Sequence, residues 1–169
     1  HNQSRRQRQM CIRDSKIKGV LAVHVETATG SISDIAAIRR AMDAAGHPAL
    51  LIVDAIASFA SVPLDMEAWG VDVVVAASQK GLMLPPGLGF CAVSTKALEL
   101  SFESKSQMEY FSWKQRMGTE SYSRFCGTAP EHLVFGLVEA INMINEEGWD
   151  QVFARHTRLA NATRKAVDV

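Results

Sequence analysis

Cysteines are few in this 169-residue chain and long apolar runs are absent, and each shortage excludes a class of protein. Cys11, Cys91 and Cys126 are scattered and lack the close spacing of metal ligands, so we expect no metal site. We also expect a reduced, cytoplasmic protein, because paired cysteines are typical of oxidising compartments. No apolar run approaches the roughly 20 residues of a membrane span, and the start of the chain has no apolar segment of a secretory signal. The sequence therefore predicts no contact with a membrane.

An excess of one charge is also missing, since 18 basic residues balance 18 acidic ones. The balance hides two unlike parts. Residues 1–18 hold six basic residues and one acidic residue, whereas residues 19–169 hold twelve basic and seventeen acidic ones. A mildly acidic body without a basic stripe is not expected to bind nucleic acid. Residues 1–18 follow no helical or strand period, and their run QMCIRDS resembles translated adapter sequence, so we expect a disordered or non-native tail there.

From residue 19 onward, apolar runs alternate with amphipathic segments, which is typical of an α/β fold. Apolar runs predict strands at 20–23, 49–53, 71–77 and 88–93. The run at 49–53 is continuous, as expected of a parallel strand that is buried on both faces. The sequence therefore predicts a mostly parallel sheet flanked by helices.

Helical spacing and helix start signals predict the segments between and after these strands. Ser31 and Asp34 form a capping box ahead of a first helix that Gly46 ends. Later helices are expected at 95–103, from Pro130 to Gly148, and from about Asp150 to Val169, with residues 104–127 irregular.

Polar side chains end three of the predicted strands. His24, Glu26 and Thr27 follow the first strand, Asp54 follows the second, and Ser78, Gln79 and Lys80 follow the third. Ligands of open α/β sheets bind beyond the carboxyl ends of the strands, so these groups would converge if the strands are neighbours. An aspartate after a strand is more often a turn former, and a lysine before a glycine is more often a solvated loop residue. The occurrence of both, each directly after a buried strand, favours a site.

The pairing of an amine with a carboxylate indicates a particular chemistry. A lysine in a desolvated pocket loses its proton and attacks a carbonyl carbon to form a Schiff base. A carboxylate directed at a pyridine nitrogen keeps that nitrogen protonated, and these are the two protein groups that a pyridoxal-phosphate enzyme most needs. Motifs of competing chemistries are missing, because the sequence has no Walker loop, GxGxxG, HExxH, GxSxG or CxxC.

Three segments carry a resemblance to a known family: HVETATG (24–30), VDAIASF (53–59) and SQKGLMLPPGLG (78–89). They resemble the class V aminotransferases, within the serine–glyoxylate and alanine–glyoxylate group of fold-type-I pyridoxal-phosphate enzymes. The resemblance extends over residues 19–168 and includes RFCGTAPEHLVFGL (124–137). It implies the large domain of an aspartate aminotransferase-like fold and a homodimer.

The resemblance implies that Lys80 forms the internal aldimine with pyridoxal phosphate. Once the amino substrate frees it, Lys80 would move the proton between the substrate Cα and the cofactor. Asp54 would pair with the pyridinium nitrogen, and Ile56 would lie under the ring.

The resemblance also implies contacts for three polar residues. Thr27 matches a hydroxyl near the phenolic oxygen of the ring, and Gln79 matches a residue near the phosphate. Thr128 matches a contact to the phosphate bound by the neighbouring subunit. A capping box with Glu131 is the alternative role for Thr128, and the two roles are compatible because a helix N-terminus attracts phosphate.

Members of this family are much longer than 169 residues, so the resemblance implies that residues 19–169 are part of the large domain. The missing upstream part would supply the phosphate cradle and the aromatic residue that stacks on the ring. The missing small domain would supply the arginine that binds the substrate carboxylate. The expected activity is amino transfer from serine or alanine to glyoxylate or pyruvate. The alternatives are a 2-aminoethylphosphonate–pyruvate transaminase and a catalytically inactive α/β module.

Overall fold

The computed structural model of the chain describes residues 17–106 and 108–167. Its centre is a sheet of four strands that lie side by side in chain order. The strands are β1 (Gly19–Val23), β2 (Leu50–Asp54), β3 (Val73–Ala77) and β4 (Gly89–Val93). β1, β2 and β3 are parallel and β4 is antiparallel to β3, which confirms the prediction of a mostly parallel sheet. The predicted tail lies outside the described residues except for Ile17 and Lys18.

The helices of the described ranges flank and follow the sheet. They are α1 (Ile35–Ala44), α2 (Thr95–Phe102), α3 (Trp113–Arg116), α4 (Ser121–Phe125), α5 (Glu131–Glu147) and α6 (Trp149–Val167). The expectation that residues 104–127 are irregular is wrong, because α3 and α4 lie there. Within the described ranges, none of these helices has the length and apolar character needed to cross a membrane.

Neither predicted capping box is formed. Asp34 is the N-cap of α1, where its Oδ1 accepts a hydrogen bond of 2.8 Å from the Ala37 N–H. The Ser31 hydroxyl instead bonds the Thr29 hydroxyl at 2.8 Å. Pro130 occupies the N-cap of α5, and no described side chain caps that helix. Short polar side chains near a helix start compete for the same N–H groups, and the spacing alone does not decide which one binds them.

One face of the sheet is covered by α1. Leu51 and Val53 of β2 are fully buried and pack with Ile35 and Met42 of α1 and with Val74 of β3. Burying an aliphatic side chain of this size contributes roughly 1.5–3 kcal/mol, so this layer holds β2 at the centre of the sheet.

The opposite face of the sheet is partly exposed along β1, β2 and β3. Leu21 is 79% exposed, Val23 43% and Val75 37%. Asp54 shares this face, because it pairs in register with Val23 on one side and with Val75 on the other.

A second apolar cluster lies below the loops that follow β2 and β3. Ala60 and Leu82 of these loops pack with Ile144 of α5 and Val152 of α6, and all four side chains are buried. The long helices therefore anchor the two loops that leave the carboxyl ends of β2 and β3.

Candidate functional site

The carboxyl ends of β1, β2 and β3 meet at one edge of the sheet. The register places Asp54 between Val23 and Val75, and the His24 N–H continues the β1 ladder by donating to the Asp54 carbonyl oxygen at 2.9 Å. The three strands whose ends carry the predicted site residues are therefore neighbours. Loops that leave these strands start from adjacent positions, and this brings their polar groups to the same edge.

The Asp54 carboxylate is exposed but held in one orientation. Its Oδ1 accepts a hydrogen bond of 2.9 Å from the Ile56 N–H, which belongs to the turn directly after β2. The backbone behind it is also fixed, because the Ala55 N–H donates to the Val75 carbonyl oxygen at 2.8 Å. The Ile56 side chain is half-buried beside it. One carboxylate oxygen is thus used for orientation, and the other has no described partner.

Lys80 projects from a loop that a buried serine closes. The Ser78 hydroxyl donates to the Pro85 carbonyl oxygen at 2.8 Å and accepts from the Leu88 N–H at 3.2 Å. The Ser78 N–H donates to the Leu88 carbonyl oxygen, so both ends of the loop are tied at the end of β3. Gln79 and Lys80 are the exposed residues that follow this buried anchor.

Gly81 holds the Lys80 loop against the turn that follows Asp54. An ideal Cβ at Gly81 would lie 2.3 Å from the Phe59 carbonyl oxygen and 2.9 Å from the Ala60 carbonyl carbon. Only a glycine permits this approach. The turn at 55–61 directly follows Asp54. It therefore connects the strand end that bears the carboxylate to the loop that bears the Lys80 amine.

Thr27 is exposed in the turn that follows β1. The Glu26 carboxylate organises this turn by accepting a hydrogen bond of 2.7 Å from the Thr29 N–H. Backbone N–H groups of Ala28 and Thr29 hold the pKa of Glu26 below its ordinary value. Glu26 therefore shapes the turn that carries Thr27.

Thr128 lies near β4, whereas Asp54 ends β2. It lines a cavity of about 490 Å³ together with Arg124 at the end of α4 and Cys91 of β4. Cys91 pairs in register with Val75, the neighbour of Asp54, so the cavity adjoins the face that bears Asp54. Asp54 and Lys80 do not line this cavity, but the cavity adjoins the sheet face that bears Asp54.

One pair of buried polar residues had no predicted role in the site. His24 is 2% exposed and its Nδ1 lies 2.9 Å from the Oγ of the fully buried Ser58. In the sequence, His24 is one of the polar residues that follow the first predicted strand, and Ser58 is part of the VDAIASF segment. The two residues are 34 positions apart, so no local pattern could have paired them.

Comparison with known proteins identifies the family of this chain. The family model of the class V aminotransferases matches residues 6–168. The chain belongs to this family. A serine–glyoxylate aminotransferase from Hyphomicrobium methylovorum is 46% identical over 158 residues, which are 92% of this chain and 39% of that protein. An L-aspartate–glyoxylate aminotransferase from Paracoccus denitrificans is 46% identical over 153 residues, or 90% of this chain and 39% of that protein.

A solved structure extends the likeness to the fold. The pyridoxamine–pyruvate aminotransferase from Mesorhizobium loti superimposes with a TM-score of 0.79 at 29% identity, covering 92% of this chain and 40% of that one. The predicted aspartate aminotransferase-like α/β fold is therefore confirmed. The chain spans about 40% of the length of the curated relatives it matches.

Proposed function

We propose that the protein carrying this chain is a pyridoxal-phosphate-dependent aminotransferase. It would transfer the amino group of a small amino acid, serine or alanine, to a 2-oxo acid, glyoxylate or pyruvate. The observation that carries the proposal is the position of Asp54 and Lys80 after neighbouring parallel strands, on two loops joined through Gly81. The names of the relatives support glyoxylate as the amino acceptor.

The described residues fit the cofactor. Within the described ranges, neither Asp54 nor Lys80 takes part in an ion pair, with each other or with another residue, so both groups are available. The valines on either side of Asp54 form an apolar surface next to the carboxylate, which suits an aromatic ring. When bound, pyridoxal phosphate supplies a ring that accepts the electron pair left at the substrate Cα.

Each predicted site residue would then have a defined task. Lys80 would hold the cofactor covalently through Nζ, and the same amine would take and return the proton at the substrate Cα. Asp54 would keep the pyridine nitrogen protonated, with its carboxylate oriented by the Ile56 N–H. The Ile56 side chain would support the ring from below, and the Thr27 hydroxyl would bind the phenolic oxygen.

Phosphate binding would involve two further residues of this chain. Gln79 precedes Lys80 and would contact the phosphate of its own subunit. Thr128 lies shortly before the N-terminus of α5, where the helix dipole favours an anion, and would bind the phosphate held by the neighbouring subunit of a homodimer.

We further propose that residues 19–169 form part of the large domain of a longer, cytoplasmic protein. Coverage of about 40% of the relatives supports a partial domain, and the exposed apolar face of β1 and β3 supports further covering structure. Cys91 and Cys126 are free thiols, which suits a reducing compartment. The assignment of residues 1–18 to a disordered or non-native tail remains a proposal.

The test is a turnover assay on the full-length gene product loaded with pyridoxal phosphate. Serine, alanine and aspartate are compared as donors, each with glyoxylate and pyruvate, and 2-aminoethylphosphonate with pyruvate tests the alternative function. We expect serine or alanine with glyoxylate or pyruvate to give the highest kcat/KM. Preference for 2-aminoethylphosphonate would replace the proposed function with the alternative.

Two lysine variants separate catalysis from fold. Lys80→Ala is expected to lower kcat by about 10²–10⁴-fold, because it removes both the attachment point and the proton carrier. Lys96→Ala is the matched control, because Lys96 is also an exposed lysine. It lies beside Asp72, at the amino end of β3, whereas Lys80 follows the carboxyl end of that strand. Turnover that survives Lys80→Ala, or that is absent from the wild type with every donor, would overturn the proposal.

A further inference from the structure

The buried pair formed by His24 and Ser58 joins the segments that follow β1 and β2. His24 is the first residue after β1, and Ser58 belongs to the turn after β2. Their side chains meet at 2.9 Å between Nδ1 and Oγ, and both are almost wholly buried. Burying a polar side chain costs free energy that its hydrogen bonds must offset, so a buried polar pair at this position indicates a specific role.

The neighbours of the pair favour one direction for the hydrogen bond. The Ser58 hydroxyl donates to the Ala55 carbonyl oxygen at 3.3 Å, and its oxygen can then accept from His24 when Nδ1 carries the ring proton. Burial lowers the pKa of His24, which favours the neutral ring that has one N–H to donate. The Trp69 ring packs edge-on against the imidazole, with ring centroids 5.8 Å apart, and limits its rotation. The result is a chain of hydrogen bonds from His24 through Ser58 to Ala55.

The turn that Ser58 anchors contacts the Asp54 carboxylate and the loop that carries Lys80. At its start, the Ile56 N–H orients the Asp54 carboxylate at 2.9 Å. At its far side, the Phe59 carbonyl oxygen lies against Gly81, next to Lys80. Directly after Phe59, Ala60 has a φ of 59°, a left-handed conformation that a residue with a Cβ keeps only when its surroundings hold it. The position of this turn therefore sets the positions of Asp54 and Lys80 together.

His24 also reaches Asp54 directly, through the backbone. Its N–H donates to the Asp54 carbonyl oxygen at 2.9 Å, so the same residue holds both the strand end and the turn that follows it. We propose that His24 and Ser58 are positioning residues that fix the geometry between the Asp54 carboxylate and the Lys80 amine. This inference rests on the proposed function, since it concerns the site of that cofactor.

The experiment measures the dissociation constant of pyridoxal phosphate by absorbance titration of the full-length protein. His24→Leu and His24→Asn form a matched pair, because the two side chains have nearly the same shape but only asparagine keeps an N–H donor near Nδ1. We expect His24→Leu to raise the dissociation constant about tenfold, the equivalent of about 1.4 kcal/mol. His24→Asn should restore it to within about threefold of the wild type.

Ser58→Ala supplies an independent variant with a smaller structural change. It should weaken cofactor binding to a similar extent as His24→Leu, and the double variant should be little worse than either single one. Urea unfolding of the cofactor-free proteins monitors the fold. Binding that weakens by the same factor in the leucine and asparagine variants, or that Ser58→Ala leaves unchanged, would overturn the inference.

The outcomes for the two proposals are distinguishable. If the cofactor absorbance is the same in the wild type and in Lys80→Ala, the proposed function is refuted, and this inference with it. A wild type that binds the cofactor through Lys80, with a His24→Leu variant that binds equally well, would refute the positioning role alone.

Discussion

Replacing Gly81 with alanine tests whether the Lys80 loop must press against the turn that follows Asp54. The added Cβ would lie 2.3 Å from the Phe59 carbonyl oxygen, 2.6 Å from the Ser61 Oγ and 2.9 Å from the Ala60 carbonyl carbon. Two of these atoms belong to the backbone, so rotating a side chain cannot relieve the contact. The φ of Gly81 lies outside the left-handed region, and the expected cost therefore comes from crowding rather than from backbone conformation.

The size of the effect follows from the separation that is needed. The Phe59 carbonyl oxygen must move from 2.3 Å to at least 3.0 Å from the new methyl group, in a region packed by the buried Ala60 and Leu82. Overpacking of this kind lowers the free energy of unfolding by about 1–3 kcal/mol. Because the loop and the turn are forced apart, the affinity for pyridoxal phosphate should fall as well.

Urea unfolding of the cofactor-free, full-length protein measures the effect, and Gly89→Ala is the matched control. A Cβ at Gly89 would meet no atom within 4 Å. Its free energy of unfolding should stay unchanged or rise by up to about 1 kcal/mol, since alanine restricts the unfolded chain. Equal unfolding midpoints for Gly81→Ala and Gly89→Ala would refute the close approach of the two segments.

Two further changes test the framework of the site by urea unfolding. Asp72→Ala should lower the free energy of unfolding by about 1–3 kcal/mol, because the buried carboxylate accepts the Leu51 N–H at 2.9 Å and its loss leaves that donor unpaired. Lys96→Ala should cost less than about 1 kcal/mol, since that partner of Asp72 is 51% exposed, and an equal cost for both would contradict this view. The lowered pKa of His24 means that the unfolded chain binds the proton more readily, so stability should fall as the pH drops below 6.5. The contribution of His24 to this slope should reach at most about 1.4 kcal/mol per pH unit, so the slope should be smaller in His24→Asn; identical pH profiles would refute the neutral, buried ring.

The strands and the edge that bears the candidate site were predictable from the sequence. The apolar run ending at Asp54 is long enough for one strand and has no polar interruption, which is typical of a central parallel strand. The orientation of β4 was not predictable, because an apolar run contains no information about direction. Its reversal depends on Ser78, whose hydrogen bonds to Pro85 and Leu88 close the connecting loop.

The short helices and the network around His24 also escaped prediction, for different reasons. α3 spans 4 residues and α4 spans 5, too few for a helical period to repeat. The bond between His24 and Ser58 depends on the pairing of β1 with β2, which brings distant positions together. Local patterns therefore predicted which residues end the strands, whereas the contacts that orient them are a product of the tertiary fold.

The central claim is that Lys80 holds pyridoxal phosphate. Sodium borohydride makes a bond between a lysine and this cofactor permanent, and mass spectrometry of the digested full-length protein then identifies the modified residue. The account predicts the modification on Lys80 in the wild type and in Lys96→Ala, and its loss in Lys80→Ala. Modification of a different lysine in the wild type, or undiminished modification of Lys80→Ala, would contradict it.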